Sequence, residues 1–495
     1  MTVSRRKLKS SRNLLRLVAL GYVVLALAGL FSIDPYAYLL VLTAAALPIA
    51  FWVRAGAIGI PVFPIIAALY YLFYALPILR NHVLFFTNAE IDYAAETVAI
   101  FLVCATAAFA LVTRNVTSRR LVREGTVFLD RHVPRLILVG LGFGALFNIL
   151  MMIGAFDSVG PYIEVIRSFA LTLASVSAYL MGYARARRLL SSTRWMQAVA
   201  LLGIITIASV VSLFLIGVVT IMACVFLGYI VAVRRIPWVT ILCSVAVLGV
   251  LHAGKGEMRA KYWGTYTANQ ITVTDAPEVL YHWFRVGLDN IIADDQAGGQ
   301  SIVDRASLLH MVMRVQRKTP DEIPYFEGET YELFPKMIVP RVFNPDKVVS
   351  QRALQILSIR YGLQNEESAR STTIGWGLVA EAYANFGLLG VICIGVLYGL
   401  MTGGLMRWSA FSSTLSIPNL ITIAATANFV NIEADLSYML TNLAHTVFGA
   451  AIGFAALRFM KIYRTGRRTR KRGRPSRLPA GLEHGPAAPN EGAAE

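Results

Sequence analysis

Along this chain, apolar residues come in long runs rather than in the alternation of a half-buried strand or the one-face spacing of a surface helix. Twelve runs, near 14-31, 36-53, 57-79, 93-113, 136-154, 168-184, 196-215, 217-233, 238-252, 378-405, 417-432 and 438-460, approach or reach the roughly 20 residues that a helix needs to cross a hydrocarbon core. The pattern predicts an all-α polytopic membrane protein with about 12 transmembrane helices. The stretch 196-233 is too long for one span, and Gly217 is the expected break, giving two short helices and a tight turn.

The polar residues between the runs alternate in sign. Arg5, Arg6, Lys7, Lys9 and Arg12 precede the first span; Arg114, Arg119, Arg120, Arg123, Arg131 and Arg135 join the fourth to the fifth. Arg185, Arg187, Arg188 and Arg194 follow the sixth, and Arg234 and Arg235 the eighth. Intervening connections carry Asp34, then Glu90 and Asp92, then Asp157 and Glu164. Cytoplasmic loops hold the excess of Lys and Arg, so twelve crossings with both termini cytoplasmic satisfy every loop. The basic stretch before the first run is followed by no small-residue cleavage site, so that span is expected to stay as an anchor.

Four regions follow: a membrane domain of nine spans at 1-252, an extracytoplasmic loop region at 253-375, a second membrane domain at 376-464, and a disordered basic cytoplasmic tail at 465-495. Composition agrees, with 56% hydrophobic and 15% charged residues. The net charge of +17 would suit a nucleic-acid partner, but 253-375 holds 14 basic and 15 acidic residues. The excess therefore belongs to the inner loops and tail, where it suits topology and anionic lipid rather than nucleic acid. All four cysteines, Cys104, Cys224, Cys243 and Cys393, fall inside predicted spans, which leaves no disulfide framework.

The stretch "GVLHAGKG" (249-256) has the glycine and lysine spacing of a nucleotide phosphate loop. Gly256 stands where that motif needs a hydroxyl to hold magnesium, and the charge count puts the segment on the extracytoplasmic face, so ATP is not the expected ligand. A helix that continues past the interface would instead align Lys255, Arg259 and Tyr262 on one face. Snorkelling anchors and a grip on a lipid-linked phosphate are both compatible with that face.

Further along, 277-292 and 302-316 have helical apolar spacing with Arg285, Arg305 and Arg314 interleaved. "KTPDEIPYFEGETYELFPKMIVPRVFNPDK" (318-347) then carries five prolines, which excludes a long helix, and aromatics at Tyr325, Phe326, Tyr331, Phe334 and Phe343. Aromatic faces beside carboxylates and arginines suit a sugar, and they equally suit the core of an ordered loop. In "TTIGWGLVAEAYANFGLLGVICIGVLYGL", Glu381 is an ionisable residue at membrane depth, a candidate for function. Gly375, Gly377, Gly387, Gly390 and Gly395 are expected to permit close helix approach. Asn428, Asn431, Glu433, Asp435 and His445 are candidates to line the same cavity.

Three stretches in order, "GKGEMRAKYW", "TPDEIPYFEGETYELFPKMIVPRVFNPDK" and "GLVAEAYANFGLLGV", together make the chain resemble the bacterial oligosaccharide repeat unit polymerases, the Wzy-type O-antigen polymerases. The likeness covers about 252 to 400. It implies a GT-C-like, metal-independent glycosyltransferase of the inner membrane with one large extracytoplasmic loop between spans nine and ten. The implied substrate is an oligosaccharide repeat unit carried on undecaprenyl pyrophosphate, with no cofactor. A flippase and a chain-length regulator are the pathway partners such a polymerase would have. By residue match, Lys255, Arg259 and Arg341, supported by Lys347, would steady the pyrophosphate, and Arg305 is a further substrate-binding candidate. Glu381, then Glu329, would serve as base, and Tyr262, Tyr325 and Tyr331 would orient substrate. A transporter or flippase of lipid-linked oligosaccharide also predicts twelve spans, but no repeat of the first half is visible in the second. An O-antigen ligase would share fold and donor, while the Pro-Arg and EAY.NFG stretches favour the polymerase.

Overall fold

The computed structural model describes residues 2–79, 86–114, 116, 127–128, 132–156, 163–213, 215–233, 235–263, 275–293, 307–339, 344, 347–412, 414–459 and 463–464. Within them the regular structure is helical, apart from one two-residue ladder. The helices are α1 (Thr2–Gly29), α2 (Pro35–Arg54), α3 (Val62–Leu79), α4 (Asn88–Thr113), α5 (Val133–Met152), α6 (Ile163–Ala186), α7 (Ser192–Val211), α8 (Leu215–Val233) and α9 (Trp238–Trp263). They continue with α10 (Ala276–Ala293), α11 (Leu309–Lys318), α12 (Leu333–Ile338), α13 (Arg352–Arg360), α14 (Glu366–Ser371), α15 (Gly377–Ala410), α16 (Ile417–Phe429) and α17 (Leu436–Phe459).

Eight of these, α2, α3, α4, α5, α7, α8, α9 and α15, are long and apolar enough to cross a membrane. The exterior agrees with that: Leu17, Leu20, Val139, Val239 and Leu242 are each more than 60% exposed. The chain is a helical membrane-embedded protein, its large apolar side chains facing outward as well as in. The ladder pairs Val127 with Arg464 and Phe128 with Tyr463. It joins the connection after α4 to the segment after α17, two stretches that the charge pattern assigns to one side.

The main core lies where α15 packs along α4. Gly395, Gly399 and Gly403 form a stripe on α15, and a Cβ on Gly395 would stand 2.8 Å from the Phe101 carbonyl oxygen of α4. Such small-residue stripes let backbones meet where lipid gives no hydrophobic drive to association. Phe63, Tyr70, Phe101, Phe109 and Tyr398 fill the remaining space, with Tyr70 stacked on Phe101 at 5.4 Å between centroids.

One sequence expectation shifts and one is met. The break expected at Gly217 occurs instead at Ser212–Leu213, where Leu213 takes φ 60 and α8 has begun before the glycine. Gly249–Gly256 lies wholly inside α9, with no strand before it and no loop to cradle a phosphate.

Candidate active site

α15 is not one straight helix. After Asn385, Phe386 (φ −144, ψ 21) and Gly387 (φ 59, ψ −147) leave helical geometry before the helix resumes. Gly387 occupies a backbone region open essentially to glycine alone, so this residue makes the break possible. The sequence reading assigned Gly387 to helix packing; its role is the break.

A break in an apolar helix strands backbone carbonyls, and each needs a donor. The donors come from the loop 325–331. Phe326 N–H donates to the Ala384 carbonyl (3.0 Å) and Glu327 N–H to the Asn385 carbonyl (3.2 Å). The Asn385 side chain completes the join: its Oδ1 accepts from Gly328 N–H (3.1 Å), and its Nδ2 donates to Thr330 Oγ1 (2.8 Å) and to the Glu381 carbonyl (2.8 Å). Ser437 Oγ donates to the Thr330 carbonyl at 2.7 Å, which brings the start of α17 to the same loop. Glu327 (φ 50) and Gly328 (φ 97) make the tight turn that presents these groups.

Beneath the loop lies Glu381, fully buried. Its Oε2 accepts from Leu436 N–H at 2.8 Å, closing the first turn of α17. Asp435, also fully buried, caps that helix by accepting from Tyr438 N–H (2.8 Å). Among the described residues, Glu381 Oε1 and Asp435 Oδ2 are buried without a hydrogen bond.

The connection between α16 and α17 extends the site toward α9. The Glu433 carbonyl accepts from Gly377 N–H (3.3 Å), and its side chain lies over Gly375. Burial pushes the Glu433 carboxyl up, while Lys255 and Arg259 of α9 lie near enough to pull it back down. Arg259 Nη2 also donates to the Leu213 carbonyl at 3.0 Å.

The other expected site residues separate into groups. Glu329 forms an ion pair with Arg360 (2.5 Å) in which both side chains are at least 40% exposed, and the Arg360 guanidinium sits 4.5 Å over the Phe326 ring. Tyr325 is partly exposed, with its hydroxyl against Gly387. Tyr331 packs on Phe386 at 6.2 Å, its hydroxyl buried. Tyr262 lies under Lys261 (5.4 Å) and borders the cluster around Trp283. Lys347 is buried in the segment joining α12 to α13. Arg341 and Arg305 lie outside the described residues.

Behind the loop, the Tyr361 hydroxyl meets Thr319 Oγ1 at 2.5 Å, and burial pushes that phenol up to about 12, so it remains a neutral hydrogen-bonding group. Among the described residues, no group of three His, Cys, Asp or Glu is arranged to hold a metal ion.

Sequence reasoning did not single out Asn385, Thr330, Ser437 or Arg360. A polar residue directly before Phe-Gly inside an apolar run is a signal that could have marked Asn385, because such a side chain must find partners.

Residues 143–409, more than half of the chain, match the family described as Domain of unknown function (DUF8712), and the chain belongs to that family. No curated protein and no solved structure matches it.

Proposed function

We propose that this DUF8712 protein is an oligosaccharide repeat unit polymerase of GT-C-like architecture. In this reading it crosses the bacterial inner membrane twelve times, has both termini cytoplasmic, and joins undecaprenyl-pyrophosphate-linked units on the outer face. One observation carries it: the three stretches that bear the resemblance, far apart in sequence, adjoin one another in space. "PYFEGETY" seals the break in "EAYANFG", and Lys255 and Arg259 from "GKGEMRAKYW" face Glu433, whose backbone holds Gly377 at the start of the same helix.

In the proposed reaction, a hydroxyl oxygen of the incoming unit attacks the anomeric carbon of the carried chain. The new glycosidic C–O bond forms as the bond to the pyrophosphate oxygen breaks, and undecaprenyl pyrophosphate leaves with the electron pair. Fixed cations meet the charge that grows on the leaving oxygen. Lys255 and Arg259 supply two, and Arg341, Arg305 and Lys347 are the further candidates. The hydroxyl proton needs an acceptor. Of the two candidate carboxylates Glu329 is the accessible one, and its ion pair with Arg360 orients it. Glu381 is sealed beneath the loop, so its part is to hold α17, the loop and the break in register. Tyr325 offers the exposed ring against which a sugar can lie, with Tyr331 behind it and Tyr262 further along α9.

A broken membrane helix also favours a second reading, transport of the lipid-linked oligosaccharide, because transporters place substrate at such breaks. Here the freed carbonyls at the break are used by the chain's own loop.

A deletion strain complemented with the wild-type gene separates the two through the length of its surface polysaccharide. Loss of long chains with single repeat units still reaching the surface supports polymerisation. Loss of all units from the surface moves transport to first place, and unchanged chain length excludes both.

A further inference from the structure

At the opposite, basic end of the bundle, Arg185 lies in the last turn of α6, Arg187 and Arg188 lie in the short turn to α7, and Arg194 lies in the first turn of α7. The turn borders an open pocket of about 350 Å³ lined by Ala184, Arg185, Arg188, Leu190 and Trp195, with both arginines exposed. Its walls are fixed by the fold: Leu189 N–H donates to the Ala184 carbonyl (2.9 Å), and Leu189, Leu190 and Trp195 pack on the main core. The Arg185 guanidinium lies 5.1 Å over the Trp195 ring, which places that cation at the cavity wall. Ser191 caps α7 by accepting from Arg194 N–H (3.4 Å), so the positive end of a 20-residue helix begins beside the cavity.

We infer that this cavity binds a phosphate group, the chemistry shared by an anionic phospholipid headgroup and a free phosphate ion. Among the described residues, none of the four arginines is ion-paired with a carboxylate. A pair of guanidiniums at one cavity is matched by an anion with several acceptor oxygens. Cytoplasmic topology needs positive charge somewhere in the loop, but it needs neither a cavity nor a particular backbone. Arg188 takes φ 55, a conformation that favours glycine or asparagine, and a topological charge gives no reason to hold arginine there. Trp195 and Tyr183, the latter 5.8 Å from the Arg187 guanidinium, supply the aromatic belt found at headgroup level. Basic pockets between helices at that level are suited to lipid headgroups. The inference does not rest on the polymerase reading, because it concerns the opposite end of the bundle.

The test uses the full-length protein purified in detergent and titrated with dioleoyl phosphatidylglycerol, with bound lipid counted by native mass spectrometry. Phosphatidylcholine serves as the neutral comparison. Arg185→Gln/Arg188→Gln is expected to weaken phosphatidylglycerol binding about 25-fold, at about fivefold per cation near an anionic surface. Trp195→Ala, which keeps every charge, is expected to weaken it as well. Arg185→Lys/Arg188→Lys, which keeps charge and loses the guanidinium fork, is expected to fall between. Arg234→Gln/Arg235→Gln removes equal charge from another loop and is expected to leave binding within twofold. Displacement of the lipid by millimolar inorganic phosphate would assign a soluble phosphate as the occupant; resistance to it would assign the lipid headgroup. Unchanged binding in Arg185→Gln/Arg188→Gln, or an equal loss in Arg234→Gln/Arg235→Gln, overturns the inference.

Discussion

The side-chain amide of Asn385 donates to the hydroxyl of Thr330 across 2.8 Å, and both residues are fully buried. Fifty-five residues of chain separate them, so the bond fastens the loop 325–331 into the interior of α15, a helix long and apolar enough to cross a membrane. Asn385→Ala removes one acceptor and two donations at once, leaving Gly328 N–H and the Thr330 hydroxyl without their partner. Each abandoned buried group costs about 1–3 kcal/mol, so a clear fall in melting temperature is expected in detergent. A double-mutant cycle with Thr330→Ala should give a coupling of at least about 0.5 kcal/mol, the threshold for residues in one network. Additive effects would mean that the contact is incidental.

Gly387→Ala tests the break itself. The new residue would have to hold φ 59 and ψ −147, at a cost on the order of 1–3 kcal/mol, and its Cβ would stand 2.9 Å from the Tyr325 hydroxyl. Removing that hydroxyl with Tyr325→Phe relieves the clash and leaves the backbone cost. Gly387→Ala is therefore expected to increase protease cleavage within 320–332, with Tyr325→Phe restoring only part of the protection. Full restoration would show that crowding, not backbone geometry, selects glycine.

The stripe that joins α15 to α4 gives a third expectation. A Cβ on Gly399 would fall into the Ala105 carbonyl oxygen, backbone that cannot swing away as a side chain could. Gly399→Leu should separate the two helices and abolish a stable monodisperse preparation, as read by size-exclusion chromatography. Gly404→Leu, at a position with open space around it, should leave the profile unchanged.

Much of the helix order is legible in the sequence, because long apolar runs at 1.5 Å rise per residue have few other uses in a membrane. The places where reading and structure part are those set by contacts distant along the chain. Gly217 carries the obvious breaker signal, yet the turn forms at Leu213, whose carbonyl is held by Arg259 forty-six residues later. The glycines of 249–256 have loop-like spacing, but the continuing helix expected there is what forms, and one of them, Gly254, meets the backbone of Gly287. Glu381 stood out by type and depth alone. Its partner is the amide of Leu436, which any residue other than proline could supply, so no sequence pattern reveals it. The aromatics of 325–331 allowed either a sugar platform or a loop core, and the structure divides them, with Phe326 buried and Tyr325 partly exposed.

The two glutamates at the candidate site make opposite demands on a conservative substitution. If Glu329 accepts the hydroxyl proton, Glu329→Gln removes the acceptor while keeping size and one hydrogen bond to Arg360, and turnover should fall about 10²- to 10⁴-fold, the usual worth of a positioned base. Substrate affinity should change little, because the cations proposed to hold the pyrophosphate are untouched. Glu381 accepts from Leu436 N–H, a service that the amide oxygen of glutamine can perform. Glu381→Gln should then keep most activity, whereas Glu381→Ala should lose both thermal stability and activity by leaving that amide unmet in the interior. The measurement is single-turnover chain extension with a synthetic lipid-linked repeat unit, alongside melting temperature for each variant. Inactive but fully stable Glu381→Gln, together with active Glu329→Gln, would reverse the two assignments and require the loop 325–331 to lift so that substrate reaches Glu381.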